Sequence, residues 1–519
     1  MNSPFAYTVK LAECSNKHMA MYLAIREAIT EGKLAPGEKL PSTRRLAELY
    51  DLSRGSVSLA YEMLTAEGFV RAGVGQGTFV AGGGSEFPTD RSGKETSGTE
   101  NRHSAAPAIT KWGCRLLSLE PTAARQSVNS SDLTGMGNIV SFSPEGIGAR
   151  FPWAEWRSEV TRQWRSLGTS ARSGDLPTAG SLELRKAIAN RLRRERGISC
   201  REEDIVITAG SMQAIALLTQ LLLEEGKTAV IENPCYTGIQ NAAKATGASV
   251  IAQRLDASGI VPEDWDAELL FVTPTRQFPT GVVLSYDRRR ALLAWASRRN
   301  AWIIEDDYDS DFRWGGRPIE PLKSLDKEDR VVYIGTFSRS MSLNMRIGFA
   351  VVPKQLMQHF ILAKQLYDPY PTGIAEQQAL ASWMSAGGYD RHMRKMRRLL
   401  GKLENKLRAN LERRFTGLFA TVPSDAGLHV YTKWRRSPEE YEMLAEECRR
   451  RGVTWKDGTI YEVRDADRSL NPLSGPSAIF GFAHMNEKQI EEGIDRIAQA
   501  ALSLKMIHSD KDQGGTVHA

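Results

Sequence analysis

Cysteine is scarce in this chain of 519 residues: Cys14, Cys114, Cys200, Cys235 and Cys448 are all there are, and they lie far apart. They make neither a disulfide framework nor a CxxC metal pattern, so a reducing, cytoplasmic setting is expected. Long apolar runs are missing as well. Nothing approaches the ~18–20 residues of a membrane-spanning helix, which removes membranes from the expected partners. The opening stretch, MNSPFAYTVK, lacks the apolar core of a secretory signal. A strong excess of one charge is also lacking. The formal net charge of +6 permits nucleic-acid binding without arguing for it. There are no internal repeats. What remains is 41% apolar and 25% charged residues, the balance of a soluble globular protein. At this length roughly two to four domains are expected.

Three regions differ in texture. Residues 17–80 show helical periodicity followed by a short β signal. Residues 81–115 include AGGGSEFPTDRSGKETSGTENRHSAAP, rich in Gly, Ser, Thr and charge with almost nothing to bury. This predicts a flexible linker, placed at 81–137. From 138 onward, apolar β-type runs alternate with helical stretches: DIVIT (204–208), TAVIE (228–232), SVIAQ (249–253), ELLFVTP (268–274), AWIIED (301–306), VVYIG (331–335) and IGFAVVP (347–353). Continuous apolar strands separated by helices predict a mostly parallel sheet covered on both faces, an α/β domain over 138–354. The more helical remainder suits a smaller α+β domain over 355–505, and 506–519 reads as a disordered tail.

Within the first region, LPSTRRLAELYDLSRGSVSLAYEMLTAEGFVRAGVGQGTFV (40–80) carries the most specific pattern. Pro41 and Ser42 suit a helix start, with Ser42 as N-cap. Leu46, Ala47 and Tyr50 give that helix an apolar face; Asp51-Leu52-Ser53 breaks it; Val57, Leu59, Ala60 and Leu64 give a second helix its apolar side. This is helix-turn-helix spacing, in which the second helix presents its N-terminal end to the major groove. The alternation around Gly73, Gly75 and Gly77 predicts a β-hairpin wing. These residues resemble the winged helix of the GntR regulators, with its L-P-S-x-R-x-L-A, S-R-x-[ST]-V, A-Y-x-x-L-x-x-E-G and G-x-G-T-[FY]-V segments. The resemblance implies contacts to a double-stranded DNA operator from Arg44, Ser53, Arg54, Ser56 and Ser58 and from the wing at Gly75 and Gln76. Gly55 departs from the larger side chain usual there.

A second resemblance covers residues from about 140 to 500. DLPTAGSLELRKAIANRL (175–192), TAGSMQAI (208–215), ENPCY (232–236), TPTRQFPTG (273–281) and EDDYDSDFRW (305–314) are similar, in order and spacing, to the aminotransferase-like domain of the MocR subfamily, in which a GntR winged helix is fused to a fold-type I pyridoxal-phosphate domain. The resemblance implies a phosphate turn at Gly210 and Ser211, supported by Thr336, Ser338 and Arg346. It implies that Asp306 holds the pyridine nitrogen, Tyr308 the ring hydroxyl, and Tyr236 the ring face. It also implies a homodimer and a small-molecule effector.

Within VVYIGTFSRSMSLNMRIGF (331–349) the family pattern is S/T-x-S-K followed seven residues later by Arg. Thr336, Ser338 and Arg346 fit it, but Arg339 stands at the lysine position. A guanidinium stays protonated and cannot form a Schiff base. Met212 replaces a usual Gln, Arg276 a usual His, and Ile479 lies near the place of the substrate-carboxylate arginine. The expectation is a DNA-binding transcriptional regulator with a catalytically inactive, effector-sensing and dimerising aminotransferase-like domain. Pyridoxal phosphate or a related anion would bind it without a covalent link. Two alternatives stand beside it: an aminotransferase with a DNA-binding appendage, and a regulator with a vestigial pocket.

Overall fold

Hydroxyl caps start two of the helices of the N-terminal region in the computed structural model. It describes residues 10–12, 14, 16–73, 76–81, 109–119, 139–170, 177–315, 319–463 and 471–507. The chain divides into two units, Met1–Ala105 and Ala106–Ala519. In the first, α1 (Lys17–Thr30) precedes α2 (Thr43–Tyr50), which starts where the Ser42 side chain accepts the Arg45 amide at 3.2 Å. That bond satisfies one of the amides a helix start leaves open. Asp51, at φ 50°, turns the chain in a left-handed conformation that Asp tolerates better than most residues. Then α3 (Arg54–Ala66) begins under a second cap, Ser53, which accepts the Ser56 amide at 3.1 Å.

The Tyr61 hydroxyl donates to the Pro41 carbonyl at 2.6 Å and so pins α3 to the start of α2. Leu46, Val57, Ala60 and Leu64 bury against Ala20, Met21 and Ile25 of α1. Leu59, expected on the same apolar side, is instead 42% exposed. It lies two residues from Val57, about 200° around the helix. Strands β1 (Val70–Gly73) and β2 (Gly77–Val80) pair antiparallel as the predicted hairpin, anchored by buried Val70 opposite Val80.

The second unit is built on two sheets. The apolar runs become β4 (Ile205–Thr208), β5 (Thr228–Asn233), β6 (Ser249–Asp256), β7 (Gly259–Ile260), β8 (Leu269–Val272), β9 (Trp302–Asp307), β10 (Val331–Thr336) and β11 (Gly348–Val351). Their order is β4-β11-β10-β9-β8-β5-β6-β7. Strands β10, β9, β8, β5 and β6 run parallel, while β11 lies antiparallel between β10 and β4, and β7 antiparallel on β6. The sheet is therefore mostly parallel, as expected, and buried apolar side chains cover both of its faces.

The second sheet runs β12 (Phe419–Thr421), β13 (His429–Trp434), β15 (Ser477–Gly481), β14 (Val453–Asp457) and β3 (Val140–Phe142). Here the expected boundary at 138 is corrected. β3 pairs parallel with β14 of the C-terminal sheet, not with the large sheet. Phe142 packs edge-on to Phe480 and against Gly493, where a Cβ would fall 2.4 Å from the Phe142 ring. A three-residue strand buries too little to hold a core of its own, so it joins the sheet that offers it a ring-sized gap.

The expected linker is also corrected in its described part. Lys111–Leu117 is a helix capped by Thr110. Its Arg115 donates to the Ala245 carbonyl at 2.9 Å, the Thr246 carbonyl at 3.2 Å and Glu225 at 2.7 Å. A guanidinium placed there satisfies the open carbonyls at the end of the helix Thr237–Thr246. Met506, expected in the tail, is buried at 6% exposure. Ile507 packs partly buried against the core, and residues 508–519 lie outside the described residues, as does most of the linker.

Candidate functional site

The C-terminal ends of the parallel strands deliver side chains to one cavity of about 160 Å³. Ser211, Tyr236, Asp306, Tyr308, Thr336, Ser338, Arg339 and Arg346 all line it. Gly210 precedes Ser211 at the N-terminus of the helix Ser211–Leu222, with φ +87°. A Cβ there would fall 2.5 Å from Arg346 Nη2. Glycine therefore allows both the left-handed turn and the close approach of the guanidinium, which donates to the Ala209 carbonyl at 3.0 Å. The turn combines the backbone amides of a helix start with a cation, the chemistry of an anion cradle.

Strand alternation separates two neighbouring carboxylates at the end of β9. Asp307 accepts hydrogen bonds from Arg196, Tyr333 and Thr275. Asp306 points into the cavity, is 7% exposed, and among the described residues its Oδ1 has no hydrogen-bond partner. Burial, with the charge of Asp307 adding, pushes its carboxyl up to about 7, against the opposing pull of Arg339. Ser338 Oγ, 5% exposed, is likewise buried without a partner. Native proteins rarely leave such atoms unsatisfied, and each costs roughly 1–3 kcal/mol when they do.

The Tyr308 hydroxyl accepts from Arg276 Nη1 at 2.9 Å, which leaves its own proton free to be donated. Burial raises the Tyr308 pKa, so the phenol keeps that proton. Arg276 is itself held by Asp309 at 3.2 Å and by the Ala426 and His429 carbonyls. Where the subfamily usually has His, this arginine orients Tyr308. The Tyr236 ring stands edge-on to Phe278 at 5.9 Å and lies over Gly238, where a Cβ would meet its Cε1 at 2.4 Å and Met212 Sδ at 2.7 Å. Phe278 is also edge-on to Tyr308 at 5.4 Å and to Tyr461 at 4.9 Å. Sequence reasoning missed Phe278 and Tyr461. Phe278 lies inside the quoted TPTRQFPTG segment and was within reach; nothing in the local sequence marks Tyr461. Ile479 is fully buried with Tyr431 and Tyr461, so this wall offers no charge to a substrate carboxylate.

On the winged helix, Arg44 and Arg54 are exposed, and Arg44 pairs with Glu48 at 3.2 Å. Ser53 and Ser56 share a 2.8 Å hydroxyl contact within the cap, and Ser58 reaches Glu62 at 3.4 Å. Gln76 is exposed at the tip of the wing, while Gly75 lies outside the described residues. A Cβ on Gly55 would meet only Ser53 Oγ, at 3.9 Å, an ordinary contact, so a side chain can start there without a clash. Two exposed cations were missed. Arg45 follows Arg44, and Lys39 lies along the wing, with its Cε 2.8 Å from where a Cβ on Gly77 would be. Among the described residues no helix is long and apolar enough to cross a membrane, and no group of His, Cys, Asp and Glu could hold a metal ion.

A winged helix followed by an aminotransferase-like sheet and pocket defines a known class of two-part regulator. Residues 19–80 match the gntR family of bacterial regulatory proteins, and residues 151–497 match aminotransferase class I and II. The chain is 31% identical over 492 residues to the probable rhizopine catabolism regulatory protein MocR of Rhizobium meliloti, covering 94% of each. It is 32% identical over 378 residues to the HTH-type pyridoxine biosynthesis transcriptional regulator PdxR of Corynebacterium glutamicum, covering 72% of this chain and 74% of that one. The kynurenine aminotransferase of Pyrococcus horikoshii superposes with a TM-score of 0.66 at 24% identity, over 77% of this chain and 98% of that one, a likeness of fold. The chain belongs to the MocR subfamily of GntR transcriptional regulators: a DNA-binding regulator whose larger unit has the fold of a pyridoxal-phosphate-binding domain.

Proposed function

We propose that this regulator senses a pyridoxal-phosphate-type ligand held without a covalent bond. The observation that carries the reading is the pair of buried, unpartnered atoms facing one cavity, Asp306 Oδ1 and Ser338 Oγ. Pyridoxal phosphate satisfies both. Asp306 would accept a hydrogen bond from the pyridinium N–H, holding the nitrogen protonated, and Tyr308 would donate to the ring hydroxyl. Tyr236 would cover the ring face. Gly210, Ser211, Thr336, Ser338 and Arg346 would hold the phosphate. When bound, the group supplies an electrophilic carbonyl carbon and an electron-withdrawing ring. Arg339 cannot use that carbon: it has no lone pair to offer and no proton it can lose near neutral pH. The domain is therefore read as catalytically inactive. The name of the Corynebacterium glutamicum relative, which concerns pyridoxine biosynthesis, agrees with a ligand of this class.

The protein acts in the cytoplasm as a homodimer on an operator. Exposed Leu362, Leu366, Tyr367 and Tyr370 form an apolar stretch suited to a second copy. Arg54 at the head of α3 reads the operator, with Arg44, Ser53, Ser56, Ser58, Gly75 and Gln76 contacting it from the helix starts and the wing. A thermal-shift titration of the full chain tests the sensing role. A ligand at a hundredfold excess over its Kd adds about 2.7 kcal/mol of stability. Pyridoxal phosphate should raise the melting temperature well beyond inorganic phosphate, and change operator affinity in a gel-shift assay. No shift with either would leave the pocket vestigial.

A further inference from the structure

The ligand contacts proposed for sensing leave Arg339 without a partner atom on the ligand. Its guanidinium lines the cavity, and among the described residues no hydrogen bond or ion pair holds it. Its charge reaches Asp306, Tyr308, Asp309, Tyr236 and Tyr461. It offers donors only and is permanently cationic. Whatever ligand atom comes to rest against it must be an acceptor, and an anion is better than a neutral one.

The shape of a pyridoxyl ring says which atom that is. The ring nitrogen is opposite C4; the ring hydroxyl and the phosphate-bearing carbon flank C4 on either side. With nitrogen at Asp306, hydroxyl at Tyr308 and phosphate over the Gly210–Ser211 turn, three corners are taken. Two cations line the cavity, and Arg346 already lies over the phosphate turn, on the Ala209 carbonyl. Arg339 is left for the substituent on C4.

We infer that Arg339 makes this pocket selective for a phosphopyridoxyl ligand bearing an oxygen acceptor on C4, a carboxylate above an aldehyde, and against one bearing an ammonium. The inference rests on the pyridoxal-phosphate reading of the cavity and specifies its ligand. An amine at that carbon is an ammonium near neutral pH and meets a second cation, which repels it. A carboxylate at the same carbon gains a charge-assisted pair with a guanidinium that has no other partner.

Calorimetric titration of the full chain with four probes decides the matter: 4-pyridoxic acid 5′-phosphate, pyridoxal 5′-phosphate, pyridoxamine 5′-phosphate and inorganic phosphate. The carboxylate should bind at least about tenfold more tightly than the amine, with the aldehyde between them. In Arg339→Gln the carboxylate-to-amine ratio should fall to within about threefold, while inorganic phosphate binding stays near its wild-type value. Arg346→Ala should weaken every phosphorylated probe by a similar factor and keep the ratio. The inference is overturned if the wild-type protein binds the amine as tightly as the carboxylate, or if the preference survives Arg339→Gln. The wild-type ranking alone tests it should the variant not fold. Failure of every pyridoxyl probe to bind at millimolar concentration would instead bring down the sensing role, and this inference with it.

Discussion

The winged helix and the pocket meet their ligands in opposite ways. On α3 the polar groups are exposed or already employed: Ser53 caps the helix, Ser56 shares that cap, Ser58 touches Glu62, and Arg54 stands in solvent. Water satisfies them when DNA is absent, so this surface is stable with nothing bound. In the pocket, Asp306 Oδ1 and Ser338 Oγ are buried and have no hydrogen-bond partner among the described residues. A surface site can wait at no cost. A buried one is strained until it is filled, and that strain is what lets a ligand change the stability of the unit that holds it.

The largest expected effect sharpens the pocket side. Arg339→Lys restores an amine that can lose its proton. After incubation with pyridoxal phosphate and reduction by borohydride, mass spectrometry should find the cofactor attached at residue 339 in the variant and absent in wild type. Attachment at residue 339 in wild type, or none in the variant, would break the assignment of this position. On the DNA side, Arg54→Ala should weaken operator binding by roughly 1–3 kcal/mol if the side chain reads a base, and should leave nonspecific binding much less affected. Unchanged operator affinity in a gel-shift titration would remove Arg54 from the reading surface. Ser53→Ala should behave differently from its neighbour. Loss of the cap should cost about 1 kcal/mol of stability of the N-terminal unit, with a similar small loss of affinity on all DNA sequences. A sequence-selective loss would mean that the hydroxyl reads a base after all.

A further effect is a pH slope belonging to Asp306. Its carboxyl is held up to about 7 in the folded protein, well above the 3.8 of a free Asp side chain. Across that interval the folded state binds the proton and the unfolded state does not. Stability therefore declines as pH rises from about 4 to 7, and the contribution is complete only below that window. Wild type should lose melting temperature relative to Asp306→Asn over this range. The other buried groups are common to both proteins and cancel. With pyridoxal phosphate bound, the pyridinium offsets the carboxylate charge, and the difference between the two proteins should shrink or change sign. A flat difference without ligand would mean that Asp306 is ionised and solvated, which would undo the contrast between surface and pocket.

Much of this was legible in the chain. Each large-sheet strand other than short β7 contains an apolar run, clearest in the interior strands, where burial on both faces favours apolar side chains. The Ser42 cap could be read from a hydroxyl placed before a helical pattern. The seven cavity-lining positions among the expected site residues, together with Arg339, meet because they lie at or just beyond strand ends, open a helix, or lead into the next strand. The failures share one cause. β3 reads as the start of the large domain, yet joins the small sheet. Lys111–Leu117 follows a polar, glycine-rich run and looks like linker, yet docks through Arg115. Leu59 is apolar and faces out. Tyr461 completes the aromatic wall without any local sign of it.

Periodicity and capping are properties of a few neighbouring residues, so the sequence alone determined the strands, the helix starts, the winged helix and the arginine that ends Schiff-base chemistry at position 339. Which side chain satisfies which polar atom depends on residues far apart in the chain. Only the tertiary structure decided that Asp307 would be saturated by Arg196, Tyr333 and Thr275 while Asp306, one residue away on the opposite face of the same strand, would be left facing a cavity with an oxygen unpaired.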